Sequence, residues 1–402
     1  MLRAWLLRVA LAGLGFGIAL ILAELLVGAF LPTCAQDLYE TDERIGWALA
    51  PGLQTVYAPC AHPWSTIRTR VETNELGLRD VERSREKSEG VFRILVLGDS
   101  FTEALQVERE QAFVARLERL LNERTGGTPR VEVWNAGVSG YGTDNELLAY
   151  RERYRGFGAD LVLLVMSSEN DIYENSREIL EKGPLPYPDK PYFTIDASGS
   201  LTLRNQPVPR YDPPPRSYRV TLEEFVQGSA LHRAATGEPP PLKRRTVRML
   251  GGLGKAGNEL LVQHYLDEDG DAWTEARRLT GRILDLLAQE VADSGARLAV
   301  VVLPDKRALH PELLGLMLAR VGLAERPHRP AGPYEKLLAL VEERDLPSKG
   351  ILPVLTALER DTGHTGFLVD NTHFSVRGHE AVAQSMADFL VAERLVPGVE
   401  AR

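Results

Sequence analysis

The sequence predicts an α/β protein in which helices cover both faces of a parallel β-sheet. Three short, strongly apolar segments, at 92–97, 131–135 and 160–166, alternate with segments whose apolar residues recur at helical spacing. The same alternation returns at 297–304, which is followed by further helical patterns. Strands that alternate with helices are typical of a parallel sheet with helices on both sides.

The composition is that of a globular protein with no affinity for nucleic acid. Of its 402 residues, 44% are hydrophobic and 26% are charged, which excludes a largely disordered chain. The net charge of -9 argues against a nucleic-acid-binding protein, which usually has a basic domain. The basic run at 243–245 is more typical of a solvated surface.

An apolar segment at 9–31 predicts an N-terminal membrane anchor. Glu24 is its one charged residue, and as a helix it would be about 35 Å long, enough to cross the ~30 Å core of a bilayer. Arg3 and Arg8 precede it, so the positive-inside rule places the rest of the chain outside the membrane, on the periplasmic side. A cleaved signal peptide is the alternative, although its apolar region is typically only about 7–15 residues long.

The pattern along the chain predicts three regions. Residues 1–35 form a cytoplasmic tip and the anchor, residues 36–90 an extended or β-rich lead-in outside the membrane, and residues 91–395 the catalytic domain. A proline-rich insertion at about 174–245 interrupts this domain and contains a β-hairpin that turns at Ser198 and Gly199.

Two cysteines, Cys34 and Cys60, follow the predicted anchor. Their number and place suit one disulfide in an oxidising compartment, although the sequence does not show that they pair.

Small and polar residues follow the predicted strands at positions where α/β sheets hold their ligands. In chain order they are Gly98–Asp99–Ser100, Gly140, Asn170 with Asp171, and finally Asp370 with His373. Taken alone, the first of these segments is more simply interpreted as the start of a helix, with Asp99 or Ser100 as its N-cap. Asp99 and Asp171 are expected to hold turns through hydrogen bonds to the backbone.

Together these residues suit nucleophilic catalysis. A serine hydroxyl needs a base, and histidine serves at neutral pH. Asp370 lies three residues before His373, close enough to orient the imidazole and stabilise its charged form. The backbone N–H groups of Ser100 and Gly140 and the side-chain amide of Asn170 are candidate donors to an oxyanion.

The four segments, in this order, resemble the SGNH or GDSL-type hydrolases, in the form of membrane-anchored bacterial members. "GDSFTE" (98–103), "NAGVSGYGT" (135–143), "SEND" (168–171) and "DNTHFSVRGHEAVA" (370–383) are similar to the family's four blocks. The lead-in stretch "TNELGLRD" (73–80) also resembles those members. The resemblance implies a three-layer α/β/α sandwich. It also implies roles for five residues: Ser100 as nucleophile, His373 as base, Asp370 as its orienter, and Gly140 and Asn170 as oxyanion donors.

Three histidine and glutamate positions need separate interpretation. Glu169 stands where the family often has glycine. Three interpretations are open: its carboxylate faces the oxyanion site and opposes the developing negative charge, it points to solvent, or it contacts a cationic or sugar substrate. Asp361 and His364 repeat the Asp-x-x-His spacing but include Gly363, which predicts a loop, and His379 is expected to pack at the start of the last helix. No histidine or cysteine spacing indicates a metal site, and no cofactor is expected.

The sequence therefore predicts an extracytoplasmic serine esterase or deacylase that acts on an acylated small molecule or carbohydrate. An O-acyltransferase that moves an acetyl or acyl group to a polysaccharide hydroxyl would use the same residues with an alcohol in place of water. A membrane-anchored binding module that has lost catalysis is the alternative from another class.

Overall fold

The computed structural model describes residues 38–58, 67–182, 189–208, 255–268, 270–369 and 371–399, together with Trp5, Gly13, Gly15 and Ala19. The predicted anchor at 9–31 otherwise lies outside the described residues, as do Cys34, Cys60 and most of the insertion. In the part of the chain that is described, every helix is too short or too polar to cross a bilayer. The division into three regions stays a prediction.

The strands of the described ranges follow in chain order. They are β1 (Tyr39–Asp42), β2 (Gly46–Leu49), β3 (Gln54–Tyr57), β4 (Thr69–Glu72), β5 (Val91–Gly98), β6 (Arg130–Gly137), β7 (Leu161–Ser167), β8 (Tyr192–Ile195), β9 (Leu201–Arg204), β10 (Arg297–Leu303) and β11 (Ser348–Gly350).

The helices alternate with the main strands. They are α1 (Ser100–Glu103), α2 (Phe113–Thr125), α3 (Thr143–Ala149), α4 (Asp171–Glu174), α5 (Arg177–Lys182), α6 (Lys255–Val262), α7 (Asp271–Asp293), α8 (Lys306–Leu309), α9 (Pro311–Val321), α10 (Gly332–Glu342), α11 (Leu352–Thr362) and α12 (Val376–Ala392).

Five of these strands form one parallel sheet, in the order β11-β10-β7-β5-β6. The four predicted strands are all in it, so the predicted parallel α/β class is confirmed. β5 lies between β7 and β6, and its Val96 is opposite Leu163 on one side and Asn135 on the other. The carboxyl end of β5 therefore opens between the ends of its two neighbours.

The sheet separates two apolar layers, which makes the fold a three-layer sandwich. Along β5, Leu95 and Leu97 pack with α3, α7 and α10, whereas Ile94 and Val96 pack with α2, α11 and α12. Successive side chains of a strand point to opposite faces, so an uninterrupted apolar strand can serve both layers. This explains why the central strands have no polar alternation.

The lead-in forms two antiparallel pairs, β1 with β2 and β3 with β4, so its predicted β-rich character is confirmed. It packs directly on the α/β domain, because Leu49 and Val71 form a small core with Leu105. The buried guanidinium of Arg79 donates to the carbonyl oxygens of Glu103 (2.8 Å) and Ala104 (2.7 Å). The lead-in is therefore attached to the segment that follows Ser100.

The predicted hairpin of the insertion is also confirmed. β8 and β9 pair antiparallel, and Gly199 has a positive φ of 84° in the turn between them. The segment that follows the hairpin contacts the lead-in, since the amide of Val208 donates to the carbonyl oxygen of Glu43 (2.8 Å).

Candidate active site

Ser100 begins the short helix α1 at the carboxyl end of β5. Gly98 ends the strand, and a Cβ atom there would lie 2.1 Å from Oγ1 of Thr102, so the tight turn requires glycine. Asp99, not Ser100, is the N-cap: its Oδ1 accepts from the amide of Phe101 at 2.8 Å. The Ser100 hydroxyl is therefore not needed for capping.

His373 meets Ser100 at this strand end. Its Nε2 lies 2.8 Å from Oγ of Ser100, although the two residues are 273 positions apart. The imidazole also packs against the ring of Phe101, with 4.9 Å between ring centroids. The structure thus brings together the predicted nucleophile and the predicted base at hydrogen-bond distance.

The other nitrogen of His373 contacts a residue that the sequence analysis missed. Oδ1 of Asn371 lies 2.5 Å from Nδ1 of His373 and accepts from the backbone N–H of the same residue at 3.0 Å. An acceptor at Nδ1 leaves Nε2 free of its proton and able to receive one from Ser100. Asp370 lies outside the described residues, so its role as orienter stays a prediction.

Lys306 holds the loop that carries His373. Its buried ammonium group donates to the carbonyl oxygens of Leu368 (2.6 Å), Val369 (3.2 Å) and Asn371 (3.1 Å). Lys306 lies three residues after the end of β10, so the loop is fixed to the same edge of the sheet that carries Ser100. The position of a lysine after an apolar strand is the one sequence signal for this role.

Gly140 lies in the turn after β6. The amide of Tyr141 donates to the carbonyl oxygen of Val138 at 3.2 Å, and Gly140 has a φ of +79°, which favours glycine over other residues. The residue before it, Ser139, is bonded to the α1 residue Glu103 through its backbone N–H (2.9 Å). The turn is therefore close to the helix that begins with Ser100.

Asn170 lies just after β7 and precedes α4. Its amide nitrogen donates to Oε2 of Glu174 at 2.8 Å, and its hydrogen bond with Asp99 opposes the rise that burial causes in the pKa of that carboxyl. To donate to an oxyanion, the Asn170 amide would exchange one of these partners for the substrate. The structure places Asn170 beside the nucleophile turn, and its role as donor stays a prediction.

Buried carboxyl groups surround Asn170. Burial raises the pKa of Asp99 to about 7, and it raises the pKa values of Glu146 and Asp171 well above their usual range. Neighbouring carboxylates raise these pKa values further because like charges oppose ionisation. Asp99 and Asp171 also accept from backbone amides, of Phe101 and Ser167 respectively, as the sequence analysis expected of them.

Glu169 does not point to solvent, which was one of its three interpretations. Nη2 of Arg307 donates to its Oε1 at 3.2 Å, and a hydrogen bond with Thr372 lowers the pKa of Glu169, against the stronger effect of burial. The guanidinium offsets the negative charge that would otherwise oppose an oxyanion. Because Thr372 directly precedes His373, the hydrogen bond between Glu169 and Thr372 also connects the segment 168–171 to the loop that carries His373.

The second Asp-x-x-His pair is remote from this chemistry. Asp361 lies in the last turn of α11 and pairs with Arg360, and the exposed His364 follows Gly363 in a loop, as expected. His379 is buried, and its Nδ1 accepts from the amide of Phe113 at 3.2 Å. Burial lowers the pKa of His379 to about 3, so it stays neutral and caps α2.

Comparison with known families gives a match to the C-terminal third of the chain. Residues 263–402 match the family model described as "SGNH hydrolase-like domain, acetyltransferase AlgX". The matched part includes His373 but not Ser100. No curated protein sequence matches the chain.

Three solved structures are similar to the chain at low identity. LAE5, an α/β hydrolase from the metagenome of Lake Arreo, is 12% identical with a TM-score of 0.34, covering 76% of this chain and 96% of its own. A candidate GDSL-like lipase from Parabacteroides merdae has 11% identity and a TM-score of 0.38, over 76% and 96%. A catalytic mutant of the acetylxylan esterase Axe2 from Geobacillus stearothermophilus has 12% and 0.37, over 79% and 100%. Similarity at this level indicates neither a reaction nor a substrate for this chain.

The residues that match the family model include the loop that carries His373. An SGNH hydrolase-like domain supports an activity of the esterase or acyltransferase type. The resemblance predicted from the sequence is thereby confirmed: residues 263–402 match an SGNH hydrolase-like domain.

Proposed function

We propose that the protein is a serine esterase that cleaves an ester through an acyl-Ser100 intermediate. The observation that carries the proposal is the 2.8 Å distance between Oγ of Ser100 and Nε2 of His373. A hydroxyl and an imidazole at this distance, at the carboxyl end of a parallel strand, form the activated nucleophile that acyl transfer requires.

The reaction proceeds in two halves. His373 takes the proton of Ser100 while Oγ attacks the carbonyl carbon, and the same proton then goes to the departing alcohol oxygen as the ester bond breaks. Water attacks the acyl-serine in the second half, losing a proton to His373, which returns it to Ser100 as the acid leaves. Asn371, and by proposal Asp370, orient the imidazole, and the N–H groups of Ser100 and Gly140 with the Asn170 amide stabilise the oxyanion.

The substrate class we propose is an acylated carbohydrate or small molecule. A second candidate is acyl transfer to a polysaccharide hydroxyl, because the family model that matches residues 263–402 is described as an acetyltransferase. The same acyl-serine would then react with an alcohol instead of water. A silent binding module remains the third candidate, but it has no need for the contact between Ser100 and His373.

One experiment separates these three functions. Purified full-length protein in detergent is labelled with a fluorophosphonate, then supplied with p-nitrophenyl acetate with and without a neutral or an acidic oligosaccharide. We expect labelling, and release of p-nitrophenol with free acetate in both conditions. Acetylated oligosaccharide in place of acetate would instead establish a transferase. Failure of labelling and of p-nitrophenol release, in protein that is folded by circular dichroism, would leave the binding module.

We further propose that the catalytic domain lies outside the cytoplasmic membrane, held by the segment at 9–31. The support is the length of this apolar segment and the two arginines before it. Alkaline phosphatase fused after Arg402 should be active in cells, and green fluorescent protein at the same point should be dark. A bright green fusion with inactive phosphatase would overturn this location.

A further inference from the structure

The peptide that joins Ser139 to Gly140 is held in one orientation by its turn. Val138 and Tyr141 close the turn through a backbone hydrogen bond of 3.2 Å, and the φ of +79° at Gly140 is the value that a type II turn requires at its third residue. The N–H of Gly140, a proposed oxyanion donor, belongs to this peptide.

Trp47 of the lead-in fixes which way this N–H points. Its indole Nε1 donates to the carbonyl oxygen of Ser139 at 3.0 Å. In a trans peptide the C=O and the following N–H point in opposite directions, so the N–H of Gly140 is directed away from Trp47. The hydroxyl of Tyr141 bonds in return to the carbonyl oxygen of Trp47, and the two rings pack edge to face at 5.6 Å.

Glu103 holds the same turn from the nucleophile's side. It ends α1, three residues after Ser100, and its side chain is fully buried. The carboxylate accepts from both the backbone N–H (2.9 Å) and the hydroxyl of Ser139. One carboxylate therefore joins the helix of the nucleophile to the residue before Gly140.

The end of β6 packs on α1 without room for adjustment. A Cβ atom at Gly137 would lie 2.5 Å from the backbone nitrogen of Glu103. The amide of Val138 donates to the carbonyl oxygen of Gly98 at 3.0 Å, and Asn135 Nδ2 donates to that of Thr102 at 3.0 Å. Movement of the turn relative to α1 would break these contacts.

The lead-in completes the surroundings of Glu103. The hydroxyl of Tyr39 lies 2.9 Å from each carboxylate oxygen, and Arg79 donates to the backbone carbonyl of Glu103. Burial raises the pKa of Glu103 to about 7, and the hydrogen bonds from Ser139 and Tyr39 and the charge of Arg79 oppose this rise. Burying a carboxylate costs free energy unless its hydrogen bonds are made, and here the donors come from two separate segments, the lead-in and the turn after β6.

We propose that Glu103 is a positioning residue that fixes the N–H of Gly140 relative to Ser100, and that Trp47 holds the same peptide from the opposite side. The inference rests on the proposed esterase function. It makes the lead-in a part of the catalytic unit, because Trp47 and Tyr39 belong to it. Glu103 and Trp47 both act through Ser139, and neither is assigned a contact with the substrate.

The test variants are Glu103→Met, which keeps the length of the side chain but removes both oxygens, and Trp47→Phe, which removes the indole N–H. Loss of an oxyanion donor lowers kcat by ~10²–10³, so a misplaced donor should lower kcat by roughly 10- to 100-fold with KM nearly unchanged. Glu103→Gln keeps one acceptor for Ser139 and should restore most of kcat. Asn170→Ala is the reference for losing one complete donor.

A second readout separates positioning from general damage. A trifluoromethyl ketone analogue of the ester adds to Ser100 and places an oxyanion in the site, so its affinity should fall by the same factor as kcat/KM. Glu118→Met is the matched control. Like Glu103, Glu118 joins a helix to the β6 region, because it accepts from the amide of Val133 at 2.7 Å, but it lies on α2 and not on the helix of the nucleophile. It should lower thermal stability and leave kcat unchanged.

The outcomes distinguish this inference from the proposed function. Full activity in Ser100→Ala, or none in the wild type with any ester, would refute the esterase itself. An active enzyme in which Glu103→Met and Trp47→Phe keep kcat and ketone affinity within about threefold would refute the positioning role alone. If Glu103→Met does not fold, Ser139→Ala takes its place: it removes the hydroxyl bond to Glu103, and an unchanged kcat in it and in Trp47→Phe would equally refute the role.

Discussion

Replacement of Ser100 by alanine is expected to reduce kcat for ester hydrolysis by ~10³-fold or more and to leave the fold intact. The hydroxyl at 2.8 Å from Nε2 of His373 is the atom that forms the acyl bond, and alanine offers no substitute. The fold does not depend on it, because Asp99 caps α1 and the Ser100 side chain is only half-buried. Steady-state kinetics with p-nitrophenyl acetate and a thermal melt measure the two effects.

A serine elsewhere in the chain provides the control for this variant. Ser198 lies in the exposed turn of the β8–β9 hairpin, and Ser198→Ala should keep full activity. Activity of Ser100→Ala within about tenfold of the wild type would remove Ser100 as the nucleophile. A large drop in melting temperature would instead mean that its hydroxyl supports the fold.

The two histidines with Asp-x-x-His spacing should respond in opposite ways to substitution. His373→Ala removes the base and should lower kcat about as much as Ser100→Ala, since residues that act as a unit lose their effect together. The double variant Ser100→Ala/His373→Ala should therefore have a kcat scarcely lower than that of either single variant. His364→Ala should be silent, because His364 is exposed in the loop after α11. The kcat values of the four proteins, measured at one pH, decide this.

The reverse pattern would mean that the wrong pair was chosen. A strong loss in His364→Ala, with normal activity in His373→Ala, would contradict the contact between His373 and Ser100. Additive losses in the double variant would show that His373 does not act through Ser100. His379→Ala is a further check: its neutral ring caps α2, so it should lower stability while kcat stays near that of the wild type.

The parts of the fold that the sequence predicts are those with local signals. The central strands are predominantly apolar, with Arg93, Ser167 and Arg297 at or near their ends. The longer helices have regular periodicity, so the existence of these elements follows from the pattern. The helices α9 and α11 and the edge strand β11 were not predicted. β11 has no such signal, since its residues Ser348–Gly350 form a strand only by pairing with β10.

The predicted site depends on which strand ends lie close together, and the sequence predicts this neighbourhood well. The carboxyl ends of parallel strands share one edge, so Ser100 and the turn of Gly140 are expected to be near each other. The contact of His373 with Ser100 is less local, and the order of the four blocks rather than any spacing indicates it.

The residues that sequence analysis missed act through contacts between distant segments. Lys306 reaches the histidine loop across more than sixty positions, and Arg307 reaches Glu169 across 138. Neither contact joins residues at a short, fixed spacing, so no sequence motif indicates either of them. The solvent-facing interpretation of Glu169 was wrong for this reason: its cation lies at the end of another strand.

The most direct test of the account is to trap the acyl-enzyme. Wild-type protein is mixed with p-nitrophenyl acetate, quenched in acid within the first turnovers and digested for mass spectrometry. The proposed mechanism predicts one acetyl group on the peptide that contains Ser100, with fragment ions that place it on that residue. In His373→Ala, the acetylated fraction should exceed that of the wild type only if the variant still acylates Ser100 but fails to hydrolyse the acyl-serine. Rapid hydrolysis with acetyl found on another residue, or with Ser100 unmodified at every quench time, would contradict it.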